Sequence, residues 1–167
     1  MVIAGGRSFR SSTEKNALRF LLQRVTHGRV EVDAEVVGAI GPGLVVLVGI
    51  GQGDDERIAD RLIEKLLNLR IFADADGKMN LSVIDVGGGV LLISQFTLYA
   101  DCRKGRRPAF TAAAAPADAA RLYQYCLQRL GHAGVTTASG IFAADMQVSL
   151  ANDGPVTILL DSADLTN

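Results

Sequence analysis

The 167-residue chain has no tryptophan, and aromatic residues make up only 5% of it, so its core has to be aliphatic. Its apolar runs, such as residues 44–50 and 90–93, fall far short of the roughly 20 residues that a membrane span needs. The two cysteines, Cys102 and Cys126, form neither a C-x-x-C pair nor a Cys/His cluster. We therefore expect no membrane segment, no metal site and no cofactor, and a reducing, cytoplasmic environment.

An excess of charge of one sign is also lacking, because 17 Lys and Arg residues oppose 18 Asp and Glu residues, for a net charge of −1. Such a balance argues against a nucleic-acid partner only if the charge is evenly spread. Four basic residues instead lie within five positions, and they are Arg103, Lys104, Arg106 and Arg107. Two interpretations stay open, a solvated loop or a patch that binds phosphate groups.

Residues 1–17 differ from the rest of the chain, since glycine, serine and threonine alternate there with Arg7, Arg10 and Lys15 and show no helical or strand period. They lack the 7–15-residue apolar core of a secretory signal. We expect a disordered N-terminal extension, with a transit peptide as the alternative. The folded domain is expected over residues 18–167.

Hydrophobic periodicity predicts the secondary structure of that domain. The predicted strands are residues 19–27, 29–33, 35–40, 44–50, 70–73, 90–99, 135–139, 146–150 and 156–160. A first helix is predicted over residues 54–69 with Asp54 as its cap, and a second from Pro116 to about Gly131. The order of these elements indicates a single α+β domain with a mixed sheet around one core.

Familiar catalytic arrangements are missing from the sequence. There is no G-x-S-x-G motif and no P-loop. The only two histidines, His27 and His132, follow a predicted strand and a predicted helix, and we interpret both as surface residues.

One polar segment interrupts an apolar strand close to its end: Ser94-Gln95-Phe96-Thr97-Leu98-Tyr99. Buried polar groups need hydrogen-bond partners, and the C-terminal end of a central strand is a common location for a functional site. A functional site and simple hydrogen bonding to the next loop remain equally open from these residues alone.

A second segment combines turn-forming residues before the last predicted strand: Asn152-Asp153-Gly154-Pro155-Val156-Thr157. Asn, Asp, Gly and Pro together predict a turn. Because only about 5–6% of X–Pro bonds in folded proteins are cis, the residues alone predict a trans peptide bond between Gly154 and Pro155.

These segments together resemble the D-aminoacyl-tRNA deacylases, the D-tyrosyl-tRNA deacylase-like family that removes D-amino acids mischarged onto tRNA. The resemblance runs from about residue 18 to residue 162, with residues 94–99 and 152–157 as its specific motifs. Two departures are visible. The family usually begins with Met where this chain has Leu18, and its first hairpin usually has Asp-Gly where this chain has Asp33-Ala34. Since Ala fits a positive φ poorly, we expect that turn to differ in type.

The resemblance implies a homodimer with two active sites at the subunit interface. We accordingly expect an α+β fold with a mixed, barrel-like β-sheet core and two main helices in a single domain. The implied partners are the aminoacylated 3′ end of tRNA and a second copy of the chain, with neither DNA nor a membrane. The implied reaction is hydrolysis of the ester bond of D-aminoacyl-tRNA.

The resemblance also implies that the Gly154–Pro155 peptide is cis and enters the partner's pocket, which is the opposite of the trans bond predicted above. Backbone carbonyls held there would occupy the place of an L side chain, whereas a D side chain points elsewhere. Glycine has no side chain to clash, so glycyl-tRNA is expected to be accepted.

The implied catalytic residues are Thr97, Phe96, Gln95 and Ser94, of which the last two position the substrate. Two mechanisms are open: Thr97 attacks the ester, or the ribose 2′-hydroxyl assists a water while backbone N–H groups near Phe96 and Thr97 stabilise the oxyanion. The absence of a base beside Thr97 favours the second. The expected substrate and tRNA contacts are Asn152, Met146, Arg103, Lys104, Arg106 and Arg107.

Two other functions remain possible from the sequence. One is an RNA-binding protein whose site is degenerate, and the other is an aminoacyl-ester hydrolase that does not distinguish enantiomers. Hydrolysis of D- and L-aminoacyl-tRNA separates all three.

Overall fold

The computed structural model describes residues 17–165, so almost all of the predicted N-terminal extension at residues 1–17 lies outside the described residues. The described strands are β1 (Arg19–Val32), β2 (Glu35–Ile40), β3 (Gly43–Gly49), β4 (Phe72–Ala73), β5 (Met79–Leu81), β6 (Gly89–Ser94), β7 (Thr136–Ser139) and β8 (Gln147–Asp161). The two α-helices are α1 (Glu56–Asn68) and α2 (Pro116–His132). The expected α+β fold with two main helices is confirmed.

A mixed sheet in the order β2-β1-β3-β6-β7 forms the body of the domain, and β8 pairs with β1. β3, β6 and β7 run parallel, while β1 is antiparallel to β2, β3 and β8. The two edge strands of this order, β2 and β7, approach each other closely. A Cβ atom placed on Gly38 of β2 would lie only 2.3 Å from the carbonyl oxygen of Ser139 in β7. The sheet is therefore nearly closed, as the predicted barrel-like core requires.

Burial of the aliphatic strands produces two packed regions. The larger lies between the sheet and both helices, and it includes Leu22, Val46 and Leu92 from the strands with Leu62 and Leu122 from the helices. The smaller fills the barrel and consists of Val25, Val30, Ile40, Val45, Leu91 and Ile93. β3 contributes to both regions because alternate side chains of a strand point to opposite faces.

Several predicted boundaries are wrong. Residues 19–27 and 29–33 form one strand, β1, because β8 pairs along nearly its whole length. The predicted cap of α1, Asp54, is not the cap. Asp55 is the residue whose side chain accepts a hydrogen bond from the Ile58 N–H, at 2.9 Å. Helix α2 continues past Gly131 to His132, and Gly134 with a φ of 75° follows it.

The β1–β2 hairpin keeps a turn that its sequence does not favour. Asp33 and Ala34 have φ values of 50° and 64°, and two positive φ values in succession are the requirement of a type I′ turn. The expectation that Ala34 changes the turn type is wrong. The two strands fix the turn, and Ala34 adopts a left-handed conformation despite its Cβ.

The strand predicted at residues 90–99 ends early, since β6 stops at Ser94 and a 3₁₀ turn (Phe96–Tyr99) follows. Of the strand predicted at residues 70–73, only Phe72 and Ala73 pair, and they do so with β5, which was not predicted. Among the described residues, neither α-helix has the length and apolar character that crossing a membrane requires.

The last two predicted strands are also joined, because β8 runs without a break from Gln147 to Asp161. Its pairing with β1 jumps from Asn152 opposite Val25 to Thr157 opposite Gln23. Residues 153–156 therefore face Arg24 alone and form a bulge, not a turn between two strands. The Gly154–Pro155 peptide within this bulge is cis, so the trans bond predicted from the residues alone is wrong.

Candidate active site

A cavity of about 610 Å³ opens beside the end of β6, between the loop that precedes α2 and the segment that leads into β8. Its walls are mostly apolar. The lining residues that matter below are Ser94, Gln95, Phe96, Phe110, Asp145 and Met146. A largely apolar pocket with a few converging polar groups is the usual form of a small-molecule site.

The 3₁₀ turn at the cavity carries the polar motif that the sequence singled out. Gln95 donates a side-chain hydrogen bond to the hydroxyl of Thr97, and its backbone N–H donates to the carbonyl of Val48 at 2.7 Å. As the first residues of a helical turn, Phe96 and Thr97 have N–H groups without acceptors inside the turn. The cavity therefore has backbone donors beside it that can bind an oxygen carrying negative charge.

Contacts on the far side of the turn hold it against the sheet. Tyr99 is buried, and its hydroxyl donates to the carbonyl of Ala17. The guanidinium of Arg19 lies 4.6 Å from the Tyr99 ring, donates to the Leu98 carbonyl at 2.9 Å and pairs with Asp161 at 3.0 Å. Burial raises the pKa of Tyr99, so the phenol stays protonated and remains a donor. The turn is thereby fixed to both β1 and β8.

Asp54 lies near Asp161, the residue that pairs with Arg19. Its Oδ2 accepts the Gly51 N–H at 2.6 Å, whereas its buried Oδ1 accepts no hydrogen bond of good geometry from residues 17–165, although the Leu18 backbone lies close enough to lower the pKa of the carboxyl group. Burial, and then the charges of Asp161 and Asp55, raise the pKa of Asp54 to about 6 in spite of backbone hydrogen bonds that oppose the shift. The position of Asp54 in the sequence suggests a helix cap. Its actual surroundings include Asp161, which is distant in sequence, and sequence reasoning missed this.

Phe96 is the most exposed aromatic side chain beside the cavity, at 60% exposure. Its ring meets that of Phe110 edge to face, with centroids 5.0 Å apart. Phe110 follows the basic loop, so this contact joins the loop and the 3₁₀ turn at one edge of the cavity. An aromatic pair at the edge of a cavity presents an apolar surface to a ligand.

The structure brings only some of the predicted site residues together. Ser94, Gln95, Phe96 and Met146 line the cavity. Thr97 is exposed and adjoins it through Gln95. The cavity lining of the same chain does not include the remaining residues, which are Asn152, Gly154, Pro155, Arg103, Lys104, Arg106 and Arg107.

Gly154 and Pro155 are exposed at the tip of the β8 bulge, and the neighbouring side chains fix the bulge. Asn152 accepts the Val156 N–H at 2.6 Å and donates to the Thr157 hydroxyl at 2.9 Å. From the other side, Arg24 donates to the backbone carbonyls of Asp153, at 2.9 Å, and of Ile71, at 2.5 Å. The bulge is therefore an exposed segment that hydrogen bonds brace from both sides.

The basic segment forms a closed loop, because Asp101 and Ala109 exchange backbone hydrogen bonds at 2.8 and 3.0 Å. Arg103 makes a two-pronged contact with Asp101, at 2.8 and 2.7 Å, and this contact lowers the pKa of Asp101 to about 2. Lys104, Arg106 and Arg107 are exposed. Arg103 thus has a partner within the loop, and the other three cations face solvent.

Groups for other kinds of chemistry are not found at the cavity. Neither His27 nor His132 is among its lining residues. Within residues 17–165, no group of three or more His, Cys, Asp or Glu side chains is arranged to hold a metal ion.

Sequence reasoning missed the one carboxylate in the cavity lining, that of Asp145. The residue follows a short turn in which Ala143 has a φ of 63° and Ala144 donates to the carbonyl of Ile141 at 3.2 Å. The available signal was its position directly before Met146, an expected substrate contact.

A sequence model described as D-Tyr-tRNA(Tyr) deacylase matches residues 21–161. The chain belongs to this family. A relative in Paracidovorax citrulli named D-aminoacyl-tRNA deacylase is 61% identical over 140 residues, which are 84% of this chain and 90% of that protein. Relatives of the same name in Heliobacterium modesticaldum and Stutzerimonas stutzeri are 58% and 56% identical, and cover 86% and 87% of this chain and 96% and 100% of their own lengths.

Solved structures share the fold of this deacylase family member. One described as c-Myc DNA Unwinding Element Binding Protein has a TM-score of 0.80 and 39% identity, over 85% of this chain and 97% of its own. Another, described as a probable eukaryotic D-amino acid tRNA deacylase, has a TM-score of 0.76 over 87% of this chain and 99% of its own. Its identity is 19%, so this second likeness bears on the fold alone.

Proposed function

We propose that this protein hydrolyses the ester bond of D-aminoacyl-tRNA, accepts glycyl-tRNA, and rejects L-aminoacyl-tRNA with a Gly154–Pro155 element supplied by a partner subunit. The observation that carries the proposal is a cavity at the start of the 3₁₀ turn, whose first N–H groups have no acceptors within the turn, in a chain of the D-Tyr-tRNA(Tyr) deacylase family. The relatives named D-aminoacyl-tRNA deacylase align with 84–87% of the chain.

Hydrolysis adds the oxygen of a water to the ester carbonyl, breaks the bond to the ribose oxygen, and returns a proton to that oxygen. In this proposal the N–H groups of Phe96 and Thr97 donate hydrogen bonds to the carbonyl oxygen and stabilise the negative charge that develops on it. We assign proton transfer to the neighbouring ribose 2′-hydroxyl. Gln95 is a donor to Thr97, and an amide is not a base whichever way it is oriented, so nothing at this position activates the Thr97 hydroxyl as a nucleophile.

Stereochemical rejection is assigned to the braced bulge on β8. Gly154 and Pro155 lie outside the lining of their own cavity and are exposed, so they are free to enter the cavity of a second copy. The bonds from Asn152 and Arg24 hold the backbone of the bulge in place. Rejection by clash needs such stiffness, because a yielding carbonyl would admit the L side chain.

A homodimer is part of this proposal, and β8 supports it. In the described chain β8 pairs only with β1, which leaves its other edge open along 15 residues. Leu159 on this strand is 54% exposed, and Val148, which also lines the cavity, is 39% exposed. A long edge strand with exposed apolar side chains is a surface that proteins usually cover.

The primary test measures release of amino acid from D-tyrosyl-, L-tyrosyl- and glycyl-tRNA by the purified protein. We expect hydrolysis of the D and glycyl esters and little of the L ester. Hydrolysis of both tyrosyl enantiomers at similar rates would instead identify a general aminoacyl-ester hydrolase. Binding of tRNA without hydrolysis of any of the three would identify an RNA-binding protein.

A mixed dimer tests whether the bulge acts on the partner. Pro155→Ala alters the bulge of one subunit, and Ala113→Trp fills the cavity of the other. The mixed dimer then has one cavity that is open and faces an intact bulge. If the bulge acts across the interface, the mixed dimer rejects L-tyrosyl-tRNA as the unmodified protein does, whereas the Pro155→Ala homodimer rejects it less. Equal rejection by both would exclude action in trans.

A further inference from the structure

The residues that line the cavity carry a negative charge and no positive one, because Asp145 is the single charged residue among them. Asp145 is exposed at the cavity, and its carboxylate makes no hydrogen bond and no ion pair with another residue between positions 17 and 165. This differs from other acids near the site. Asp101 pairs with Arg103, Asp161 pairs with Arg19, and Asp153 lies 3.6 Å from Arg24. A carboxylate that is exposed at an apolar pocket and has no protein partner is available to make a charge-assisted hydrogen bond to a cation that enters the pocket.

The substrate of the proposed function carries such a cation. An aminoacyl ester has a free α-amino group, and α-amino groups titrate at about 7.7–8.0 in peptides and are mostly protonated below that pH. This ammonium lies one bond from the carbon that also bears the side chain and the ester carbonyl. A carboxylate in the cavity can therefore bind the ammonium while the donors of the 3₁₀ turn bind the carbonyl.

We propose that Asp145 binds the α-ammonium group of the aminoacyl substrate and thereby fixes the orientation of its stereocentre. The inference rests on the proposed function. Distinguishing mirror images requires three fixed directions around the α-carbon. With the carbonyl and the ammonium both held, exchanging D for L swaps only the side chain and the hydrogen. If the ammonium is not held, the L ester can rotate its side chain out of the clash, and rejection by the bulge weakens.

This role makes Asp145 a specificity-determining residue with a signature that a structural role lacks. The probes are D-phenylalanyl-tRNA and D-phenyllactyl-tRNA, which nitrous acid produces from it by replacing the ammonium with a hydroxyl of similar size. We expect the unmodified protein to prefer the ammonium ester by about tenfold to a hundredfold in kcat/KM, as for hydrogen bonds to charged groups. Asp145→Asn should lose most of that preference and should leave hydrolysis of the hydroxy ester nearly unchanged.

Stereoselectivity provides a second readout. Asp145→Asn should reduce the ratio of D- to L-phenylalanyl-tRNA hydrolysis, and Asp145→Glu, which keeps the charge, should retain more of it. Asp118→Asn is the matched control, because it removes the same charge from the exposed first turn of α2 without altering the cavity lining. Thermal unfolding of each variant establishes that it is folded.

The outcomes separate this inference from the proposed function. An equal loss on the ammonium and hydroxy esters would overturn it, since Asp145 would then act as a base or support the cavity. It would also be overturned if the unmodified protein hydrolysed both esters equally well. If the unmodified protein hydrolysed no D-aminoacyl ester at all, the proposed function itself would be wrong, and the inference with it.

Discussion

Thr97 stands where a nucleophile would be sought, yet its surroundings do not make it one. Its hydroxyl accepts a hydrogen bond from Gln95, and the two histidines lie outside the cavity lining. A hydroxyl with a donor beside it and no base keeps its proton. Whether a threonine acts as a nucleophile therefore depends on the groups beside its hydroxyl, and a suitable base is not among those beside Thr97.

We therefore predict that Thr97→Ala retains at least about a tenth of the kcat on D-tyrosyl-tRNA, whereas removing the nucleophile of a serine hydrolase costs about a millionfold in kcat. A substrate ending in 2′-deoxyadenosine should be hydrolysed far more slowly by the unmodified protein. Single-turnover rates of D-tyrosine release measure both effects. A folded but inactive Thr97→Ala protein, together with normal turnover of the 2′-deoxy substrate, would assign the attack to Thr97.

Asp54 provides a prediction about stability. Because burial raises its pKa from the ordinary value of 3.8 to about 6, the folded state binds its proton more tightly than the unfolded state does. Between about pH 4 and pH 6 the contribution of Asp54 to stability should therefore fall as the pH rises, and the penalty should be complete above that range.

Asp54→Asn keeps an oxygen for the Gly51 N–H and removes the ionisation. The difference in free energy of unfolding between the Asn variant and the unmodified protein should shift in favour of the variant from pH 4 to pH 7. Urea denaturation at several pH values measures this difference. A difference that does not change with pH would mean that Asp54 titrates normally.

Strand pairing overrides local preference in several elements. The sequence correctly predicts helices α1 and α2, whose apolar residues repeat at helical spacing, and the buried run of β3. It predicts two strands where β8 is one, because Asn152 and Pro155 favour a turn and only the pairing with β1 shows that the turn is a bulge. The 3₁₀ turn at Phe96–Tyr99 is likewise set by its contacts with Arg19 and Ala17, which are distant in sequence.

The β1–β2 hairpin yields a prediction of its own. Ala34 has a φ of 64°, and this conformation costs an L residue roughly 1–2 kcal/mol. Glycine avoids that cost, but it also makes the unfolded chain more flexible, which offsets part of the gain in stability. Ala34→Gly should increase the free energy of unfolding by about 0.5–1 kcal/mol. Ala39→Gly, at an exposed position inside β2, should decrease it. Thermal and urea unfolding compare them, and stabilisation by both changes would contradict the argument from φ.

At the scale of the whole molecule, the net charge of −1 conceals a concentrated patch. Lys104, Arg106 and Arg107 are exposed on the loop that adjoins the cavity through Phe110 and Phe96. Replacing these three with Gln should weaken tRNA binding and reduce the slope of log affinity against log salt by up to about 2. Fluorescence anisotropy over a range of salt concentrations measures the slope.

The matched control removes three charges elsewhere, with Arg57, Lys65 and Lys78 changed to Gln. These residues are exposed and lie away from the cavity lining. An equal change of slope in both triple variants would mean that only the overall charge matters. The sequence alone identified the patch because its members are adjacent, but it could not place Asp145 in the cavity, since the lining comes from segments far apart in the chain.

The pairing of the first described strand with the last one has a consequence for biosynthesis. β1 lies against β8 from Arg19, opposite Asp161, to Glu31, opposite Gln147. On the ribosome, β1 emerges more than a hundred residues before its partner, so one of its edges stays open until β8 has been synthesised. Met146 and Val148, which line the cavity, arrive at the same late stage. A chain released early would consequently have both an exposed strand edge and an unfinished cavity, and could not hydrolyse its substrate.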